Sequence, residues 1–131
     1  MYKRQLWRNT TVDYVHLAVA YGALINGGAY IDPSVDGKWV HTQVIKAETS
    51  TAIKSLLTKT ITENKLFDYL KPYRNTIGGY SLTVDGMATF VWFLDNPKYV
   101  VVITVSNPKT KKAGYETAGV MFGEVVKEIN K

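Results

Sequence analysis

Hydrophobic and polar positions along this chain switch between helical and strand periodicity, and the order of the switches predicts the fold class. Val12, Val15, Val19 and Ala23 recur at helical spacing and are widened by Leu17, Tyr21, Leu24 and Ile25, which predicts a largely buried helix over about 12–25. Thr10-Thr11 offers its N-cap, Asp13 puts a carboxylate in its first turn, and Asn26-Gly27-Gly28 ends it, since glycine accepts the left-handed conformation past a C-cap. Ala29-Tyr30-Ile31 reads as a short extended piece stopped by Asp32-Pro33. After turn chemistry at Ser34-Val35-Asp36-Gly37, the segment Trp39–Ile45 alternates well enough to be a second. A helix over about 47–63 follows, with Ile53, Leu56, Leu57, Thr60 and Ile61 on one face, and Leu66–Tyr73, interrupted by Pro72, reads as irregular.

The second half is strand-rich. Arg74–Thr83 is extended, Asp85-Gly86 supplies a hairpin turn, and Met87–Leu94 is dense in aromatic and β-branched residues. Asp95-Asn96-Pro97-Lys98 turns the chain into Tyr99–Val105, an unbroken apolar run with the pattern of a strand buried on both faces in the middle of a sheet. The last helix, about 116–130, places Ala118, Met121, Phe122, Val125, Val126 and Ile129 on one face that should lie on the sheet. The expected fold is α+β in a single domain, 1–131. A three-stranded antiparallel meander (about 74–83, 87–94 and 99–106) carries the C-terminal helix, with two N-terminal helices (about 12–25 and 47–63) packed on it.

Composition narrows the chemistry. With 131 residues, 46% apolar and 12% aromatic, the chain is long and apolar enough to bury a core. It has no cysteine, which excludes disulfide frameworks, thiolate zinc sites and cysteine nucleophiles. No apolar run approaches the roughly 18 residues of a spanning helix, and the basic start Met1–Thr10 leads into no secretory h-region. A soluble chain without an export signal or membrane span is expected.

The net charge of +5 invites a nucleic-acid reading. The dense basic run Lys109-Thr110-Lys111-Lys112 lacks interleaved aromatics that could stack on bases, and Lys3, Arg4 and Arg8 form no more than a solvated arm, so no nucleic-acid partner is expected. The two histidines, His16 and His41, lie on separate elements without further ligands at metal spacing, so neither a metal nor a cofactor is expected. Asp13, Asp32, Asp36, Asp85 and Asp95 sit at caps and turns, where carboxylates accept backbone N–H bonds. A Ser-x-x-Lys occurs at Ser106-Asn107-Pro108-Lys109, but a strand end followed by a proline turn cannot put both side chains on one helix face, as proton transfer between them requires.

Three segments together carry a family likeness. Thr11–Pro33, with Ala20-Tyr21-Gly22-Ala23-Leu24-Ile25-Asn26-Gly27-Gly28 at its centre, resembles the helix and loop of penicillin-binding protein transpeptidase domains, where Ala-Tyr-Ala-Ala-Leu-Ala-Asn-Gly-Gly leads to a proline. Met87–Lys109, with Phe90, Phe93, Asp95-Asn96-Pro97-Lys98-Tyr99 and Asn107-Pro108, is similar to that family's last two strands, and Ala118–Ile129 to its closing helix. The likeness covers nearly the whole chain but only the C-terminal third to half of the family's domain.

The resemblance implies a relative of enzymes in which a serine attacks a peptide or β-lactam carbonyl. Their Ser-x-x-Lys and Ser-x-Asn motifs precede the matched region, so no catalytic residue is expected in this chain. Their strand motif Gly-Lys-Ser/Thr-Gly-Thr aligns with Gly79-Tyr80-Ser81-Leu82-Thr83, where Tyr80 stands for the carboxylate-binding lysine and Leu82 for the glycine that lets substrate reach the backbone. Tyr80, Ser81, Leu82 and Thr83 are thus a degenerate substrate-cleft strand, at most a weak site for a wall peptide or β-lactam. In the family, the strand matching Tyr99–Val105 also pairs with a strand from the missing N-terminal part. Tyr99, Val100, Val101, Val102, Ile103, Thr104 and Val105 are therefore the expected interaction edge, for a protein partner or a second copy. Two functions follow from the likeness: an inactive binding or interaction module related to peptidoglycan synthesis, or the C-terminal part of a split or longer D,D-transpeptidase whose other segment supplies the missing motifs. The family works outside the cytoplasmic membrane; this sequence leaves the compartment open.

Overall fold

The computed structural model describes residues 3–6, 10–33, 36–73, 77–95, 98–109, 113–129 and 131. Expectations for 34–35 in the turn after Pro33, 74–76 at the start of the third extended segment, 96–97 before Lys98, 110–112 in the basic run and Asn130 fall outside these residues, as do the side chains of the basic arm. Internal contacts gather into two compact units, Met1–Lys54 and Ser55–Lys131.

In the first unit, β1 (Lys3–Leu6) pairs antiparallel with β2 (Thr10–Asp13), and β2 runs directly into α1 (Tyr14–Ile25). The helix therefore starts two residues later than its apolar spacing predicts, because pairing with β1 holds Thr10–Asp13 extended. Asp13 itself is the N-cap, accepting the His16 N–H at 2.8 Å. α1 is also less buried than expected: only Tyr21 and Ala23 are fully covered, and Val15 is 56% exposed. A helix apolar on nearly all sides has no sharp stripe to turn inward.

Gly27 and Gly28, with φ of 92° and 94°, take the chain out of α1 into β3 (Ala29–Asp32), which pairs antiparallel with β4 (Val40–Gln43). The Gly28 carbonyl accepts the Val44 N–H at 2.9 Å, and a Cβ on Gly28 would come within 2.1 Å of the Ile45 carbonyl oxygen. α2 (Ala47–Glu63) begins here. Its buried Ser50 donates to the Leu24 carbonyl at 3.0 Å and accepts the Gly27 N–H at 2.9 Å, so one hydroxyl fastens the end of α1 to the start of α2.

The second unit holds the rest of α2, a 3-10 stretch Lys65–Tyr73, the strands β5 (Ile77–Val84), β6 (Met87–Asp95) and β7 (Lys98–Ser106), a 3-10 turn Gly114–Glu116, and α3 (Ala118–Ile129). The strands form an antiparallel meander in the order β5-β6-β7 with the C-terminal helix beside it, the α+β arrangement expected. The segment read as irregular consists of short 3-10 pieces joined by a kink at Phe67, and it buries Phe67 and Leu70. Asp85 and Gly86 both take positive φ, 48° and 72°, as a two-residue hairpin turn of the primed kind demands.

Apolar chemistry and position disagree in β7. Its unbroken run predicts burial on both faces, yet β7 stands at the sheet edge and is only half-buried from Val100 to Val105. β6 takes the centre instead, buried without a break from Ala88 to Leu94, because it alone has a strand on either side.

One sheet face carries Ile77, Phe90, Trp92, Leu94, Val101, Ile103 and Val105, and Ile61, Phe67, Leu70, Ala118, Phe122 and Val126 pack on it. Phe90 and Trp92 stack with ring centroids 4.1 Å apart, and the Phe67 ring meets Trp92 edge-on at 5.2 Å. α3 is rotated from its predicted face. Its buried residues are Ala118, Gly119, Phe122, Gly123 and Val126, and Met121, about a third of a turn round from the centre of that stripe, is exposed. Leu56 of α2 is exposed for the same reason, being set to one side of the row through Leu57 and Ile61.

Gly78 and Gly79 lie directly across from Phe93 and Trp92. A Cβ on Gly78 would stand 2.6 Å from the Phe93 ring, and one on Gly79 would stand 2.6 Å from the Trp92 ring and 2.5 Å from the Val91 carbonyl oxygen. Gly79→Ala is expected to destabilise the second unit by about 1–3 kcal/mol through overpacking, read as a lower urea midpoint; an unchanged midpoint counts against this packing. Ser50→Ala should lower stability by about 1–3 kcal/mol, since it strands the Leu24 carbonyl and the Gly27 N–H. Thermal melting of that variant provides the check, and an unshifted Tm would remove the hydroxyl's role.

Candidate functional site

Tyr80, Ser81, Leu82 and Thr83, the strand expected to be a degenerate cleft, divide between the faces of β5. Ile77, Gly79, Ser81 and Thr83 share the face of Phe90 and Trp92, whereas Tyr80 and Leu82 point the other way, Tyr80 being exposed. The face bearing Ser81 and Thr83 is where the 3-10 turn Gly114–Glu116 lies down on the sheet. Gly114 donates its N–H to the Thr83 hydroxyl at 2.9 Å. A Cβ on Gly114 would come within 3.0 Å of the Thr89 carbonyl oxygen, 3.2 Å of the Leu82 carbonyl oxygen and 3.3 Å of the Ser81 hydroxyl. Close approach of backbone to strand thus occupies the hydroxyl side of β5 with the protein's own chain.

The sequence-level Ser-x-x-Lys has no catalytic geometry. Ser106 is the last residue of β7, and Asn107 follows in the left-handed conformation at φ 47° with its N–H on the Gly86 carbonyl at 2.7 Å. Ser106 and Lys109 therefore flank a turn and do not share a helix face. His16 and His41 sit on α1 and β4. The His16 Nδ1 lies 2.7 Å from Asp13 Oδ2, and the Asp13 carboxyl is held below its usual range chiefly by the His16 backbone N–H. Among the described residues, no group of three or more His, Asp or Glu is placed to hold a metal ion, and no helix is long and apolar enough to cross a membrane.

The expected interaction edge is a continuous strand. Tyr99, Val101, Ile103 and Val105 share the core face, where α3 lies against β7. Val100, Val102 and Thr104 share the other, and there the Thr104 hydroxyl meets that of Thr89 at 3.1 Å. β7 pairs with β6 on one side, and among the described strands none lies along its other side.

Sequence reasoning missed Tyr69. Its hydroxyl donates to the Tyr115 carbonyl at 3.0 Å, and its ring lies over Gly119 and Gly123, where a Cβ on Gly119 would meet the Tyr69 oxygen at 2.5 Å. The signal was present as Gly-x-x-x-Gly within the last helix, a flat strip that a ring can cover. Partial burial pushes the Tyr69 hydroxyl up to about 12, the residue as a whole remaining 41% exposed.

No protein-family model matches this chain, and no curated protein matches it. The likeness to penicillin-binding proteins accordingly rests on the residue pattern alone.

Because the folded chain holds the Tyr69 proton more tightly than the unfolded chain, its contribution to stability is intact below about pH 10 and is lost as pH rises towards about 12. Tyr69→Phe should lose the bond to Tyr115 at neutral pH yet show a shallower fall in Tm across that window. Parallel falls for both proteins would exclude Tyr69 as a source of the alkaline sensitivity.

Proposed function

We propose that this chain is a penicillin-binding protein transpeptidase-like module without catalysis of its own, acting in peptidoglycan synthesis by binding a partner through the edge of β7. The observation that carries the reading is the fate of the strand that the family uses to hold substrate. Lysine and glycine are replaced by Tyr80 and Leu82, and the Thr83 hydroxyl is engaged by the Gly114 N–H. A substrate carboxylate would meet no cation on this strand, and Ser106 offers an acyl group no activated hydroxyl, since it lacks a base on a shared helix face. A fold that keeps its sheet but fills its cleft edge has binding as its remaining use, and β7 offers a backbone edge for it.

Incubation of the purified chain with a fluorescent penicillin, followed by intact-mass measurement, is expected to show no covalent adduct at concentrations that label active transpeptidases. A stoichiometric adduct on this chain would overturn the reading as inactive.

A further inference from the structure

We infer that the occupant of the β7 edge is a second copy of this chain, with β7 paired antiparallel to β7 of the copy about a two-fold axis through Val102. The inference rests on the proposed reading of β7 as an interaction edge and specifies its partner. β7 has nine residues, Lys98–Ser106, and Val102 is its midpoint, so this register overlaps the strands completely. Val102 then faces Val102 of the copy, Val101 faces Ile103, Val100 faces Thr104 and Tyr99 faces Val105. These are the β-branched and aromatic cross-strand pairs that stabilise antiparallel sheets.

Charge selects the antiparallel direction. The one charged residue of β7, Lys98, lies opposite the uncharged Ser106 of the copy, whereas a parallel in-register pair would set Lys98 beside Lys98. The register also preserves side-chain parity. Residues on the face covered by α3 meet residues on the same face of the copy, so the core face continues across the junction. The result is a closed, isologous contact that leaves no new β7 edge to propagate. β5, the other outer strand, is a poorer candidate, because Gly78 and Gly79 give it little side-chain surface and the turn at Gly114 lies on its C-terminal half.

Sedimentation of the full chain over a concentration series should show a monomer–dimer equilibrium. The chain has no cysteine, so a single introduced thiol reports cleanly. Directly opposed Cβ atoms in such a pair stand about 4.5–5.5 Å apart, near enough for a disulfide after a small adjustment. Val102→Cys should give a disulfide-linked dimer on mild oxidation, and Leu82→Cys should not. Val102→Lys should retain the far-UV spectrum and lose the dimer, because a lysine on an open edge blocks strand addition. If that variant fails to fold, the cysteine pair carries the test alone. A chain that stays monomeric, a cross-link through Leu82→Cys in place of Val102→Cys, or a folded Val102→Lys variant that still dimerises would each overturn the self-pairing. None of these results bears on penicillin labelling, which separately decides the reading of the chain as inactive.

Discussion

The second unit depends on β6 being closed off on all sides. From Ala88 to Leu94 it is hydrogen-bonded along both edges and buried on both faces, a condition met by no other strand of the meander. The stack of Phe90 on Trp92 stands on one of those faces, and Phe67 and Phe122 meet it there from the 3-10 stretch and from α3. This packing buries the Trp92 indole N–H without a partner among the described residues. Such a group costs about 1–3 kcal/mol, whereas a buried aromatic of this size removes roughly 150–250 Å² from water, about 4–6 kcal/mol at 25 cal/mol per Å². Burial outweighs the missing hydrogen bond, and the aromatic cluster can tolerate it.

Much of this was legible in the chain. The Asp-Gly turn at 85–86 sets the β5–β6 register, and apolar periodicity located both later helices and all three strands of the meander, because each of those signals is local. What failed was rotation and coverage. Met121 and Leu56 lie at helical spacing from core residues, but which third of an apolar helix turns inward depends on the neighbouring surface, here Tyr69 over the glycines of α3. β2 displaced the start of α1 because pairing with a strand several residues away overrode the capping signal at Thr10-Thr11. The use of the Thr83 hydroxyl by Gly114 was not legible, because 31 residues separate the two.

β7 joins the two halves of the functional reading. Its composition suits a strand with neighbours on both sides, and within the described chain it has one. β5 and β7 flank the same central strand. β6 and the helix over it supply the stability of both margins.

The glycines opposite Phe93 and Trp92 also bear on how the strands find their alignment. A one-residue slip of β5 against β6 would send its apolar side chains to the wrong face and is opposed by burial alone. A two-residue slip keeps every side chain on its proper face, so alternation cannot reject it. In that slipped arrangement Ile77 or Ser81 would stand where Gly79 now faces Trp92, and a side chain would be forced into space already filled by the indole. Gly78-Gly79 thus works as a key that reinforces, at the far end of the hairpin, the alignment set by the Asp85-Gly86 turn.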